Sequence, residues 1–216
     1  LNHQPVDRVA RDRWDAPGLA SVRGDDVAEI ELRFPPDIER VALRASPGKR
    51  SRGEAGRRGR FTDAWGCVWQ RPPRGGSPEL VDGPLTDAAK FPGYEAPFEV
   101  LDRASASKVD RACEATARFV LASTEVRPFD RLLWLRGRQA ALSDLAHGTK
   151  RIRTLLETVH DFFRRELELW ADTQVDGVLL RDDWAGEQGL VIDEQAWRDL
   201  FRPLYRKTRV SKNLSV

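Results

Sequence analysis

Two adjacent carboxylates follow a mostly apolar run in the second half of the sequence. Val175 to Arg181 reads as a strand and leads into Asp182-Asp183-Trp184-Ala185-Gly186. Neighbouring carboxylates push each other's pKa values apart, so one can hold a proton while the other stays ionised, as general acid–base chemistry requires. The same pair would also serve as acceptors for ligand N–H groups, as a helix-turn cap, or as a solvated loop pair. Its place after a strand favours the site role, because parallel α/β folds gather their chemistry at strand carboxyl ends.

The other chemistry-bearing residues are scattered. Asp63, beside Thr62, reads either as a ligand-binding carboxylate or as a surface-turn aspartate. Trp65, Trp69 and Trp184 have the flat faces a planar ligand stacks on, and they equally suit a core or a lid. Arg44 to Arg74 carries nine basic and two acidic residues, net +7. No aromatic interleaves that run before Phe61, and its glycines point to a solvated loop rather than a nucleic-acid surface. His3, His147 and His160 are isolated, and Cys67 and Cys113 have no ligand spacing with them. No metal site is expected from these residues.

The elements that must position these groups follow from pattern. Val27, Ile30 and Phe34 fall at helical spacing behind Asp25 or Asp26 as N-cap, and Pro35-Pro36 ends that helix. Val41 to Leu43 reads as a short strand. Residues 44–105 read as a loop-rich excursion, relieved by Phe61 to Gln70, where Phe61, Trp65, Cys67 and Trp69 alternate as in one strand. Ser107 to Ala115 reads as a helix and Ala117 to Ala122 as a strand. Pro128 to Leu135 and Arg138 to Ala146 read as helices split by Gly137. Thr149 to Ala171 carries one apolar stripe from Ile152 to Trp170. Glu194 to Lys207 closes the series, with Asp193 as N-cap and a kink at Pro203. Strands alternating with helices predict an α/β fold with parallel strands.

Composition sets the outer bounds. The 216 residues hold 40% hydrophobic and 32% charged side chains, enough for one sizeable core. Basic residues number 36 and acidic 34, a balance that argues against nucleic-acid or membrane binding overall. The longest apolar runs, such as Val178-Leu179-Leu180, fall far short of the ~20 residues a membrane span needs. Two cysteines make no disulfide framework, so a reducing, cytoplasmic setting is expected. Of the basic residues 30 are Arg, and Met is absent even at position 1, which suggests a fragment.

The segment Val175-Asp176-Gly177-Val178-Leu179-Leu180-Arg181-Asp182-Asp183-Trp184-Ala185-Gly186, continued by Gly189-Leu190, Trp197, Phe201, Pro203 and Tyr205, resembles the uroporphyrinogen decarboxylase superfamily, whose strand ends in D-S-W-A-G. Gln4-Pro5-Val6-Asp7 is similar to the family's entry motif. Phe61 to Trp69 with Gly83-Pro84-Leu85 resembles a branch that includes corrinoid-linked methyltransferase-like proteins. The resemblance implies an incomplete (β/α)8 TIM barrel over 1–206, with 207–216 an unmatched tail. It implies Asp182, Asp183 and Asp63 as catalytic residues and Arg181, Trp184 and Gly186 as substrate-binding ones. The ligand would be a tetrapyrrole-like small molecule. Decarboxylation would need no cofactor, whereas methyl transfer would use a corrinoid and zinc.

Departures from the family narrow what can be expected of this chain. The family's two substrate arginines fall on Asp15 and Leu19, and its serine on Asp183, which sets negative charge against a polycarboxylate. A complete barrel takes ~250 residues, and the family's C-terminal histidine and zinc ligands have no counterpart after Tyr205. The chain by itself is therefore expected to be inactive. A non-catalytic remnant or binding partner is the other reading, and the open sheet edges predict a homodimer or edge-to-edge association.

Overall fold

The computed structural model describes residues 8–12, 14, 19–43, 47–73, 76–102 and 106–208. Gln4–Asp7, Asp15, Gly18 and positions 209–216 of the tail lie outside the described residues. Helix α1 (Leu19–Arg33) starts ahead of the expected cap at Asp25. Arg23 leaves helical geometry (φ −132°, ψ 41°), so the segment is two pieces meeting at a kink, with Asp25 and Asp26 just past it. Strand β1 (Ile38–Val41) lies slightly before the expected Val41–Leu43.

The excursion is more ordered than its composition suggests. Strands β2 (Gly59–Thr62), β3 (Val68–Arg71) and β4 (Glu79–Asp82) form an antiparallel sheet in that order. The single strand expected over Phe61–Gln70 is thus a hairpin. Asp63 turns the chain: its Oδ1 accepts the backbone N–H groups of Trp65 (3.0 Å) and Cys67 (2.9 Å). Gly66 takes a positive φ of 90° in the same turn. Gly83 then lets the backbone approach the end of the fourth helix so closely that a Cβ would lie 2.2 Å from the Trp134 carbonyl.

Helices α2 (Glu99–Asp102) and α3 (Ala106–Glu114) lead to β5 (Phe119–Ser123). Next come α4 (Pro128–Arg136), α5 (Arg138–Ala146) and α6 (Lys150–Ala171), then β6 (Gly177–Leu179). Gly137, with φ 79°, separates α4 from α5 as expected. The Thr149 side chain caps α6 through the Ile152 N–H. All of the apolar stripe on α6, from Ile152 through Phe162 and Phe163 to Trp170, is buried.

Strands β1, β5 and β6 form a parallel sheet in that order. Val41, Ala122 and Val178 stand in register on one face, where Ala122 and Val178 are buried. Leu121, Ser123 and Leu179 line the opposite, half-buried face. The fold is therefore mixed α/β with a parallel sheet, but the described residues close no barrel. Three parallel strands leave β1 and β6 as edges, where the expected barrel requires a ring of strands.

Past β6, the short strands β7 (Ala185–Gly186) and β8 (Gly189–Leu190) make a small hairpin. Helix α7 (Glu194–Leu200) follows, its N-terminus capped by Asp193 through the N–H groups of Gln195 and Ala196. Helix α8 (Arg202–Lys207) is offset from it at Phe201, with Pro203 in its first turn. The tail expected from 207 onward thus begins inside the end of α8. No helix among the described residues is long and apolar enough to cross a membrane.

Candidate functional site

Parallel pairing of β5 with β6 puts both carboxyl ends on one rim, and β1 ends there too. A cleft of about 610 Å³ opens between this rim and the turn of the β2–β3 hairpin. Leu43 and Glu125, just past β1 and β5, line one side; Phe61, Asp63 and Trp65 line the other, with Val100 from α2. That size suits a small organic ligand.

Asp63 reaches the cleft with its carboxylate already engaged. Besides the two turn N–H groups on Oδ1, its Oδ2 accepts Trp69 Nε1–H (3.0 Å) and Arg131 Nη1–H (2.7 Å). Arg131 is 4% exposed and lies over the faces of Trp65 and Trp134. Cys67 is fully buried against the same pair; burial and the Asp63 charge push its thiol up to about 12, so it is no thiolate at neutral pH. Trp65 packs on Phe162 in the core, and Trp69 meets Trp134 edge to face.

The strand-end motif occupies the same rim but does not line the cleft. Asp182 accepts the N–H groups of Phe129 (2.9 Å) and Asp130 (3.1 Å) at the start of α4, and the hydroxyl of Tyr205 (2.9 Å). Burial raises its pKa to about 6 against the lowering effect of those bonds. Asp183 is exposed. Trp184 stacks on Phe129 (4.4 Å between centroids) and meets Phe201 edge to face. Gly186 lies exposed in the β7–β8 hairpin. Arg181 is half-buried; its Nε is buried with no hydrogen-bond partner, and no carboxylate of the described residues lies within ion-pair distance.

Two residues that organise the surroundings of the cleft, one at the rim and one in the wall, escaped the sequence reading. Glu166, on α6 and 1% exposed, accepts the backbone N–H groups of Glu125 and Val126, which fixes the loop between β5 and α4. Burial raises its pKa to about 7. Its signal was available, since a carboxylate at 166 interrupts the apolar stripe between Phe163 and Leu167. Arg131 likewise stood alone among Phe129, Leu132 and Leu133. His160 is also buried, and neither ring nitrogen has a partner; burial lowers its pKa to about 4, so it is neutral. Among the described residues no three His, Cys, Asp or Glu side chains converge as a metal-ligand set.

No protein-family model matches the chain, and no curated protein does. Among solved structures it is similar to a methyltransferase from Methanosarcina mazei, with 14% identity and a TM-score of 0.51. That likeness covers 69% of this chain and 45% of the methyltransferase. At such identity the likeness concerns the fold.

Proposed function

We propose that this chain is part of a corrinoid-linked, methyltransferase-like protein of the uroporphyrinogen decarboxylase superfamily, an incomplete (β/α)8 barrel whose strand carboxyl ends bind a small molecule. The observation that carries the choice of methyl transfer over decarboxylation is the fold likeness to a methyltransferase. The cleft on the carboxyl rim supports small-molecule binding there. The charge at Asp183, set against a polycarboxylate, supports the same choice.

In this reading Asp63 and Asp182 act as positioning residues. Asp63 shapes the hairpin turn that walls the cleft, and Asp182 ties β6 to the start of α4. Within the strand-end motif, Asp183 and Arg181 are the charged groups left to meet a ligand. Trp184 and Gly186 form the outer rim. A methyl transfer of this type uses zinc to activate a thiol. The described residues do not fit that metal: Cys67 is a buried, protonated thiol, and no ligand set surrounds it. Zinc binding would therefore fall to other parts of such a protein. The free thiols Cys67 and Cys113 agree with a reducing, cytoplasmic setting.

Calorimetric titration with methylcobalamin and, separately, with uroporphyrinogen tests the reading. Saturable heat from methylcobalamin alone, weakened in a Phe61→Ala chain, is expected. Saturation by uroporphyrinogen alone would move the chain to the decarboxylase branch. Heat from neither would favour the non-catalytic remnant.

A further inference from the structure

The β5–α4 loop and the residues after β6 run side by side because bonds at both ends pin them. Thr124 Oγ1–H donates to the Leu179 carbonyl (3.4 Å), and the Phe129 and Asp130 N–H groups donate to Asp182. Glu166 fixes the loop from below through Glu125 and Val126. Arg127 and Arg181 lie between these bonds. The backbone segments that carry these two arginines are thus pinned side by side, on the rim where parallel sheets bind ligands.

The charge balance there is incomplete. Arg127 pairs with Asp130 (3.4 Å), and Arg40, on β1, pairs with Asp12. Arg181 has no ion pair among the described residues, and its buried Nε–H points at no acceptor. Burial, then the positive charges of Arg127 and Arg40, lower its pKa from the ordinary arginine range, and Glu125 opposes them more weakly. A buried donor without a partner costs stability unless something else accepts from it.

We propose that Arg181 and Arg127 form an anion subsite beside the cleft, across Glu125, that takes one carboxylate group of a small ligand. The inference rests on the carboxyl rim being the ligand-binding rim, whichever reaction follows. A carboxylate fits better than a phosphate dianion, because Arg127 and Arg40 already carry counter-charges and only Arg181 is uncompensated. Its two oxygens match the fork geometry of guanidinium donors.

The test follows the Arg Nε–Hε resonances of the ¹⁵N-labelled chain while propionate replaces chloride at constant ionic strength. A saturable shift at Arg181 is expected, and Arg181→Gln should weaken propionate binding by about tenfold or more. Arg127→Gln should weaken it less, and Arg181→Lys should keep part of it. An unchanged thermal midpoint for Arg181→Gln certifies its fold. Absence of saturation, equal binding by Arg181→Gln, or tighter binding of inorganic phosphate than of propionate would each overturn the proposal. Propionate binding without any response to methylcobalamin would instead count against methyl transfer and leave the subsite standing.

Discussion

The hairpin wall and the strand-end rim both place charged side chains beside one cleft, and they treat them in opposite ways. In the wall, Asp63 accepts four hydrogen bonds, and Arg131 is held by that carboxylate between two indole faces. On the rim, Arg181 has no ion pair among the described residues, while Glu166 and Asp182 hold backbone N–H groups in surroundings dry enough to raise their pKa values. A charge that the fold satisfies internally explains itself as structure. A charge without an ion pair among the described residues, at a strand end, is where a ligand's counter-charge would fit. By that measure the two aspartates singled out first, Asp63 and Asp182, are the scaffold of the site, and the neighbouring Arg181 is the better pointer to a ligand.

The sharpest way to break the contrast is to remove one partner from the wall. Asp63→Ala strands the Arg131 charge, whose side chain is 5% exposed. Removing one member of a buried pair costs about 3–5 kcal/mol. Urea unfolding should show a loss of that order, and Arg131→Met added to Asp63→Ala should recover part of it. A loss below about 1 kcal/mol would mean the pair behaves like an exposed surface bridge, and the wall would no longer differ from the rim.

The rim makes a prediction in pH. Glu166 titrates near 7 in the folded chain against 4.5 ordinarily, and Asp182 near 6 against 3.8. Between those values the native state binds more protons than the unfolded one, so stability falls as pH rises. The charges facing Glu166 are few, with Glu125 adding repulsion; Asp130 does the same at Asp182. Stability should therefore decline between about pH 4.5 and 7, by up to roughly 3 kcal/mol from Glu166. Glu166→Gln should flatten most of that slope. Chemical denaturation at half-unit pH steps measures it; a flat profile would show that the rim carboxylates are solvated, and a slope of opposite sign that their N–H bonds outweigh burial.

How much of this was legible in the sequence depended on the length over which each signal acts. The α6 stripe spans about five turns, and every apolar position on it is buried. The Asp193 cap and the Gly137 break are local rules, and both hold. The hairpin was hidden because its two halves continue one alternation of apolar residues. Trp65 and Cys67 are buried in the turn rather than in a strand, and Asp63 makes that turn through its side chain and its backbone bonds to Cys67 and Gly66. Strand β4 was invisible because Glu79-Leu80-Val81-Asp82 lies largely exposed and has no alternation. The Arg131 and Glu166 partners lie 68 and 41 positions away in sequence, beyond any pattern rule.

Gly83 offers a smaller test of how the wall is docked. The Leu85 N–H donates to the Leu135 carbonyl (2.9 Å), and Arg136 donates to the carbonyls of Leu85 and Thr86. A methyl at Gly83 meets backbone, which cannot swing aside as a side chain would. Gly83→Ala should cost about 1–3 kcal/mol and move the wall away from α4. The Trp69–Trp134 contact at 5.1 Å reports that movement as altered near-ultraviolet dichroism. An unchanged spectrum and stability would show that the antiparallel sheet is not anchored at this point.

The smallest expected effect discriminates best between the two regions. In the wall, every charge removed should cost stability. On the rim, Arg181→Gln removes a cation that is partly desolvated, feels the charges of Arg127 and Arg40, and, unlike Arg131, has no ion pair among the described residues. Glutamine also removes the buried Nε donor while keeping an apolar stem for packing. The thermal midpoint should stay level or rise, within about 0.5 kcal/mol in stability, while propionate binding falls. A residue whose loss leaves the fold intact or improves it, and whose loss abolishes binding, is retained for the ligand. If Arg181→Gln instead destabilises the chain by as much as Asp63→Ala, then Arg181 has a structural acceptor, and the distinction between a satisfied wall and an open rim fails at the residue on which it most depends.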